Sequence, residues 1–168
     1  MIVDNELKIR PARSSDLGSL ASLLNDEIER GTASWNLAPK SEEEMARWIV
    51  ERTGAGYPVV VAQDEAILGF GSYGPFRTGD GYRHTVEHTV YVKPDARRRG
   101  VASALLERLI KQAVEDGHHR MIGGISADQT ASIELHRRMG FRQVGELPEV
   151  GRKFDKWLDL TFMMRDLG

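Results

Sequence analysis

A mixed α/β fold, one central sheet of six to seven strands flanked by four helices, is what the order of patterns in these 168 residues predicts. Three observations carry that expectation. Short β-rich runs alternate with four stretches of helical periodicity from one end of the chain to the other. The stretch YPVVVAQDEAILGFGSYG holds two such runs, Tyr57 to Ala62 and Ile67 to Tyr73, joined by a polar turn, which is a hairpin signal. No repeat or low-complexity segment interrupts the pattern, and the length suits a single domain, 1–168, with one substantial core.

LKIRPA (Leu7 to Ala12) reads as the first strand. SSDLGSLASLLNDEIER follows as a helix from Ser14 to Arg30, N-capped by Ser14 or Ser15, with Leu17, Leu20, Leu24 and Ile28 as its apolar stripe and Gly31 as its stop. GTASWNLAPK lacks periodicity and is a loop. Ser41 then caps a second helix, with Glu44 completing a capping box, and that helix ends near Gly54. After the hairpin comes a glycine-rich, charged loop, GPFRTGDGYR. HTVEHTVYV (His84 to Val92) alternates as a strand: Val86, His88, Val90 and Val92 share one face, and Thr85, Glu87, Thr89 and Tyr91 share another that is more polar than a buried sheet requires. A third helix runs from Gly100 to Asp116, its apolar side built on Val101, Leu105, Leu106, Leu109 and Ile110, and Gly117 ends it. HRMIGGIS is a strand, TASIELHRRMG a helix closed by Gly140, and FRQVGEL a strand. WLDLTFMMRDL is the last strand, with Leu158, Leu160, Phe162 and Met164 on one side.

Composition narrows the function classes. Hydrophobic residues make up 40% and charged residues 29%, and the formal net charge of -2 gives no global attraction to nucleic acid or an anionic membrane. Any anion site is therefore local. The chain has no cysteine, which excludes disulfides, thiolate–metal centres and a cysteine nucleophile and fits a reducing compartment. MIVDNELKIRPA lacks the charged and apolar regions of a signal peptide, and no apolar run approaches a membrane span. A cytoplasmic protein without a membrane partner is the expectation.

Against that background KPDARRRGVASALLERL (Lys93 to Leu109) concentrates three arginines before a glycine and a helix. The first turn of a helix offers free backbone N–H groups and the positive end of the dipole, and a glycine lets an anion approach the backbone closely. Arginines in a turn are also, often, merely solvated. There is no GxxxxGK[ST] and no GxGxxG after a strand, and one basic cluster without interleaved aromatics is a weak case for nucleic acid. A small ligand carrying a pyrophosphate suits the arrangement better.

VYVKPDARRRGVASALLERLIKQA, followed by a strand and then ASIELHRRMGF, resembles the acyl-CoA-binding core of the GNAT superfamily of N-acetyltransferases. The superfamily's [RQ]xxGx[GA] pattern, which holds the coenzyme A pyrophosphate, is matched by Arg97, Gly100 and Ala102. The resemblance thus implies the GNAT fold and acetyl-CoA as cosubstrate, with Arg97, Arg98 and Arg99 supplying charge and Gly100, Val101, Ala102 and Ser103 the helix N-terminus. TVEHTVYV, GISADQTASIELHRRMGF and VGRKFDKWLDLTFMMRDL are similar to the phosphinothricin and methionine sulfoximine acetyltransferases. That branch implies a homodimer and acetyl transfer to the α-amine of a small amino-acid-like acceptor, by direct attack in a ternary complex without a metal.

The same resemblance assigns roles to single residues. Acetyl transfer needs a neutral amine, a polarised carbonyl and a tolerated thiolate. Glu87 matches the glutamate that related enzymes use to accept the amine proton, directly or through water; by position alone it is equally a strand-face partner for an arginine. Val90, Tyr91 and Val92 match the strand that pairs with the pantetheine arm, where a β-bulge would present an N–H to the thioester. Gln129 stands where relatives carry asparagine, with Ser132 in the same segment. His136 stands where many members have tyrosine, which makes it a proton donor, a hydrogen-bonding group or a structural helix histidine. His88, on the opposite face from Glu87, reads as a core residue. The acceptor would meet Trp35 in one loop and Phe76, Arg77, Asp80, Gly81, Tyr82 and Arg83 in another, an aromatic wall with guanidinium groups for a carboxylate or phosphinate. Trp35 is alternatively a packing anchor or dimer contact, and Lys153, Phe154 and Trp157 are open in the same way. Other readings are a GNAT enzyme for a polyamine, an antibiotic or a protein N-terminus, and a non-catalytic module binding coenzyme A or nucleic acid.

Overall fold

The structure, a computed structural model, describes residues 7–168, so the first six residues of the N-terminal stretch lie outside it. Seven strands form one sheet: β1 (Lys8–Pro11), β2 (Val59–Gln63), β3 (Ile67–Pro75), β4 (Thr85–Val92), β5 (Arg120–Ser126), β6 (Arg142–Lys153) and β7 (Lys156–Asp166). Their spatial order is β1-β2-β3-β4-β5-β7-β6, antiparallel throughout except for the parallel pair β4–β5. Four helices, α1 (Leu17–Arg30), α2 (Glu42–Gly54), α3 (Val101–Glu115) and α4 (Thr130–Arg138), complete the mixed architecture expected from the sequence. Among the described residues no helix is long and apolar enough to cross a membrane.

Two cores lie on opposite faces of the sheet. On one, α3 buries Leu105, Leu106 and Leu109 against Val60, Val86, Met121 and Met163, each leucine worth about 1.5–3 kcal/mol of transfer free energy. Glycines in β3 permit the close fit, since a Cβ on Gly69 would lie 3.1 Å from Leu105 and one on Gly71 would lie 3.0 Å from Leu109. On the other face α1 and α2 pack Leu20, Leu24, Ile28 and Met45 onto Val61 and Phe70. The alternation of β2 and β3 between these two layers explains why both read as almost continuous apolar runs.

Local chemistry sets the ends. Ser41 and Glu44 form the expected capping box of α2, with reciprocal bonds of 3.1 and 2.8 Å. The start of α1 differs from expectation: Ser14–Asp16 is a 3-10 turn, and neither serine caps it. Asp16 stands at the N-cap position, its side chain bonding no α1 N–H but accepting the Arg13 N–H at 2.7 Å and the Arg10 guanidinium at 2.7 and 2.9 Å. A carboxylate wins there because it satisfies the backbone and neutralises a cation together.

The C-terminal hairpin also departs from the sequence pattern. β6 continues past Leu147 to Lys153, its register shifting between Leu147 and Gly151 around Pro148 and the left-handed Glu149, φ 52°. An edge strand tolerates such a bulge and such a proline. In β7 the deepest side chains are Thr161 and Met163, whereas Leu160, Phe162 and Met164 are half-buried on the face that α1 and α2 do not reach.

Candidate active site

Strands β4 and β5 pair only from Thr85 to Glu87 against Arg120 to Ile122. Beyond that point they diverge, leaving the β5-facing edge of β4 from His88 to Val92 without a sheet partner. The register between β3 and β4 runs unbroken, so the expected β-bulge at Val90–Val92 is absent and the splay itself exposes those backbone groups. A cavity of about 760 Å³ opens there, walled by Val90, Tyr91 and Val92 of β4, Ser126 of β5, and Gln129, Ser132 and His136 of α4 or its approach.

The arginine loop closes one end of this cavity. Gly100 caps α3 in the left-handed conformation, φ 80°, and no side chain caps the helix. The first helical bond runs from the Ala104 N–H to the Gly100 carbonyl at 3.0 Å, so the N–H groups of Val101, Ala102 and Ser103 precede the ladder, and all three residues line the cavity. Arg98 is itself left-handed, φ 59°, a sequence of turns that gathers backbone donors for an anion. The three arginines separate. Arg97 and Arg98 line the cavity; Arg99 pairs with Asp64 in the β2–β3 turn at 3.1 Å and does not.

Residues not singled out in the sequence complete the rim. The Glu27 carboxylate pairs with Arg97 at 3.1 Å and accepts the Ala33 N–H at 2.8 Å. Thr32 donates to Asp128, at 2.9 and 3.0 Å to its two oxygens, and accepts from the Gln129 amide at 2.7 Å. Gln129 therefore spends its extra length on the α1–α2 loop. That loop is anchored from below: Lys153, buried, donates to the carbonyls of Gly31 and Ser34 at 2.6 Å each and of Glu27 at 3.3 Å. Burial lowers its pKa against the pull of Glu27. Trp35 lies against Gly151 of β6, where a Cβ would come within 2.4 Å of the ring, a contact that suits a packing anchor.

Glu87 occupies the opposite face at the point of divergence. Its carboxylate lies over Gly124 of β5, where a Cβ would be 3.0 Å from the nearer oxygen, with Leu160 and Phe162 of β7 alongside. Burial pushes the Glu87 carboxyl above its usual range, outweighing the attraction of the Arg77 guanidinium. Phe76 stands edge-on to Phe162 and to Tyr82, and Arg77 lies over the Phe76 ring. The structure thus gathers Phe76, Arg77 and Tyr82 toward Glu87. Asp80 and Gly81 are exposed in a short 3-10 turn, Asp80–Tyr82, and Arg83, exposed directly after it, is bonded to the Asp80 carbonyl.

Two further features were not legible as sites. A second cavity, about 420 Å³, lies between α2 and the Thr89–Tyr91 stretch, with Lys40, Arg47, Trp48 and Arg52 in its wall. Arg52 rests over the Trp48 ring, and its guanidinium fills the place a Gly74 side chain would take. On the α3 side of the sheet, Nε2 of His88 lies 3.0 Å from Nε2 of His136, whose Nδ1 lies 2.7 Å from the Ser132 carbonyl. Phe141 stands edge-on to both rings. Only a glycine at 123 admits the pair, because a Cβ there would lie 2.9 and 3.3 Å from the two Nε2 atoms.

A splayed parallel pair with a free helix N-terminus on one side and a shielded carboxylate on the other suits a reaction between an anionic coenzyme and an amine. Comparison with known proteins agrees. Residues 20–141 match the Acetyltransferase (GNAT) family. The L-methionine sulfoximine/L-methionine sulfone acetyltransferase of Pseudomonas aeruginosa is 44% identical over 95% of this chain and 94% of its own length. A phosphinothricin acetyltransferase of Sinorhizobium meliloti, solved with acetyl-CoA, superposes with a TM-score of 0.94 at 38% identity, covering 96% of this chain and 89% of that one. A ribosomal-protein-alanine N-acetyltransferase from Brucella melitensis superposes at 0.93 with 43% identity, covering 95% and 99%.

Proposed function

The chain belongs to the Acetyltransferase (GNAT) family, and on that premise we propose that it transfers acetyl from acetyl-CoA to the α-amine of a small amino-acid-like acceptor of the methionine sulfoximine, methionine sulfone or phosphinothricin type. The observation that carries the reading is the divergence of β4 from β5, which sets Glu87 on one face and a coenzyme-sized cavity with a helix N-terminus at its end. Acetyl-CoA supplies the activated acyl thioester. Arg97, Arg98, Gly100 and the first-turn N–H groups of α3 hold its phosphates, and the unpaired edge of Val90–Val92 holds the pantetheine arm. Arg99 contributes through its backbone and its tie to Asp64.

Glu87 takes the proton of the attacking amine, the raised pKa making it a better base than an exposed carboxylate. Arg77, with Phe76 and Tyr82, receives the acceptor's carboxylate and side chain. His136 contributes from α4 as part of the cavity wall, its two ring nitrogens engaged by Ser132 and His88. The amine attacks directly, and with no cysteine in the chain no thiol carrier intervenes. A homodimer is part of the proposal, supported by the exposed apolar row Val144, Leu147, Val150, Phe154 and Trp157 on the β6–β7 hairpin; sedimentation of the purified chain tests it.

The likeness to a ribosomal-protein-alanine N-acetyltransferase favours a second reading, in which the acceptor is a protein N-terminus. A thiol-release assay separates the two. The proposal expects coenzyme A to appear with methionine sulfone, methionine sulfoximine or phosphinothricin and not with an alanine-terminated peptide; release with the peptide alone would replace it with the second reading.

A further inference from the structure

The contact between His88 and His136 is buried, lines the coenzyme cavity, and has a proton inventory fixed by its geometry. The Ser132 carbonyl can only accept, so its 2.7 Å contact puts a proton on Nδ1 of His136. Nε2 of the neutral His136 ring is then a lone pair. At 3.0 Å it requires a proton on Nε2 of His88, which leaves Nδ1 of His88 bare, and that atom is buried without a partner. A third proton on the pair would have to sit on that nitrogen, where among the described residues nothing accepts its hydrogen bond.

The charged side chains that line the same cavity, Glu27, Arg97, Arg98 and Arg138, bond neither ring. Phe141 packs edge-on against both rings and Gly123 of β5 lies under the Nε2–Nε2 bond. Leu106 of α3 lines the same cavity. Arg165 of β7 is engaged by the Met139 carbonyl at the end of α4, and the Glu87 carboxylate lies on the other face of the sheet, over Gly124. Among the described residues no carboxylate bonds either ring. Burial accordingly depresses both imidazoles, that of His88 to about 3.

We propose that His88 is a positioning residue for acetyl transfer: by donating its Nε2–H it locks His136 in the neutral Nδ1–H tautomer, so that the pair forms an uncharged wall of the cavity and does not protonate the departing thiolate. The inference rests on the acetyltransferase reading of that cavity. Its proton balance is simple. The amine nitrogen bonds the acetyl carbon, the carbon–sulfur bond breaks with its electron pair on sulfur, the amine proton passes to Glu87 across the sheet, and the thiolate takes its proton from solvent water. Gly123 belongs to the same device, since any side chain there would part the two rings.

Imidazole nitrogen NMR on the free protein tests this without an acceptor. Between about pH 5 and 9, where an ordinary histidine titrates, His136 should keep its Nδ1–H form, His88 its Nε2–H form, and neither should titrate. His88→Phe removes the donor, so the His136 pKa should rise by about one unit or more toward the ordinary value, and the pH–rate profile should gain a limb. His88→Gln, whose amide can donate to Nε2, should restore both. A wild-type His136 that titrates in this range or carries its proton on Nε2 would overturn the proposal, as would a His88→Phe protein with an unchanged His136 spectrum and pH profile. The wild-type spectrum decides the question even if the phenylalanine variant does not fold. Inactivity with every acceptor would count against the acetyltransferase reading and leave the spectra to decide this one.

Discussion

In the proposed reaction Glu87 is the residue on which the chemistry turns, because burial holds its carboxyl above the ordinary carboxylate range while Arg77 limits the rise. A base of that kind is active once deprotonated, so kcat/KM should climb as pH rises through the elevated pKa and fall away below it. Glu87→Gln should lower kcat/KM by about 10²–10⁴-fold, the usual worth of a positioned acid or base. Steady-state pH profiles of the two proteins check this: the acid limb should vanish in the variant, and an unaltered limb would remove Glu87 from the role. Strand alternation put Glu87 on an unusually polar face, and the family resemblance, not position, singled it out as a base. Contacts between distant segments were not readable. Arg97 finds Glu27 across 70 positions of sequence, and Arg52 finds Gly74 across a helix–strand contact that no local pattern encodes. The double glycine in HRMIGGIS carried the missed signal: Gly124 admits Glu87 on one face and Gly123 admits the histidine pair on the other.

Among the elements, the arginine loop is defined as much by backbone as by charge. The left-handed turns at Arg98 and Gly100 present the end of α3 to the cavity, while one of the three arginines is drawn away by Asp64. A motif spacing can locate such a loop, but it cannot show which cation has a competing carboxylate. The α1–α2 loop is the complementary bank, tied to the start of α4 by Thr32, to the arginine loop by Glu27 and to β6 by Lys153. Lys153→Met keeps the length of the side chain and removes the donor from three carbonyls. It should cost about 1–3 kcal/mol of stability, the penalty for buried polar groups left unpaired, and should raise KM for the acceptor. Chemical denaturation and steady-state kinetics check both effects, and a variant of unchanged stability would show that the buried ammonium is not the anchor. Helix boundaries were largely legible from apolar stripes and glycine stops. The end of β6 was not, because Pro148 and Gly151 read as turn formers although an edge strand can carry them through a bulge.

At the scale of the whole molecule, the seven strands and four helices were legible because periodicity and punctuation agree along nearly the entire chain. What periodicity could not supply was the unequal covering of the sheet. The α1–α2 layer rests on the β2–β4 half, which leaves Leu160, Phe162 and Met164 of β7 half-buried beside Glu87. The expectation of one apolar side for β7 missed that its deepest residues face α3 instead. In the proposed reading this asymmetry makes the site: the coenzyme enters the cavity between the splayed strands, and the partly open face receives the acceptor. The direct test is a competition in which the protein meets acetyl-CoA with methionine sulfone, spermidine and an alanine-terminated peptide together, and products are resolved by mass. The account predicts N-acetylmethionine sulfone as the dominant product. Acetylation confined to spermidine or to the peptide would contradict it.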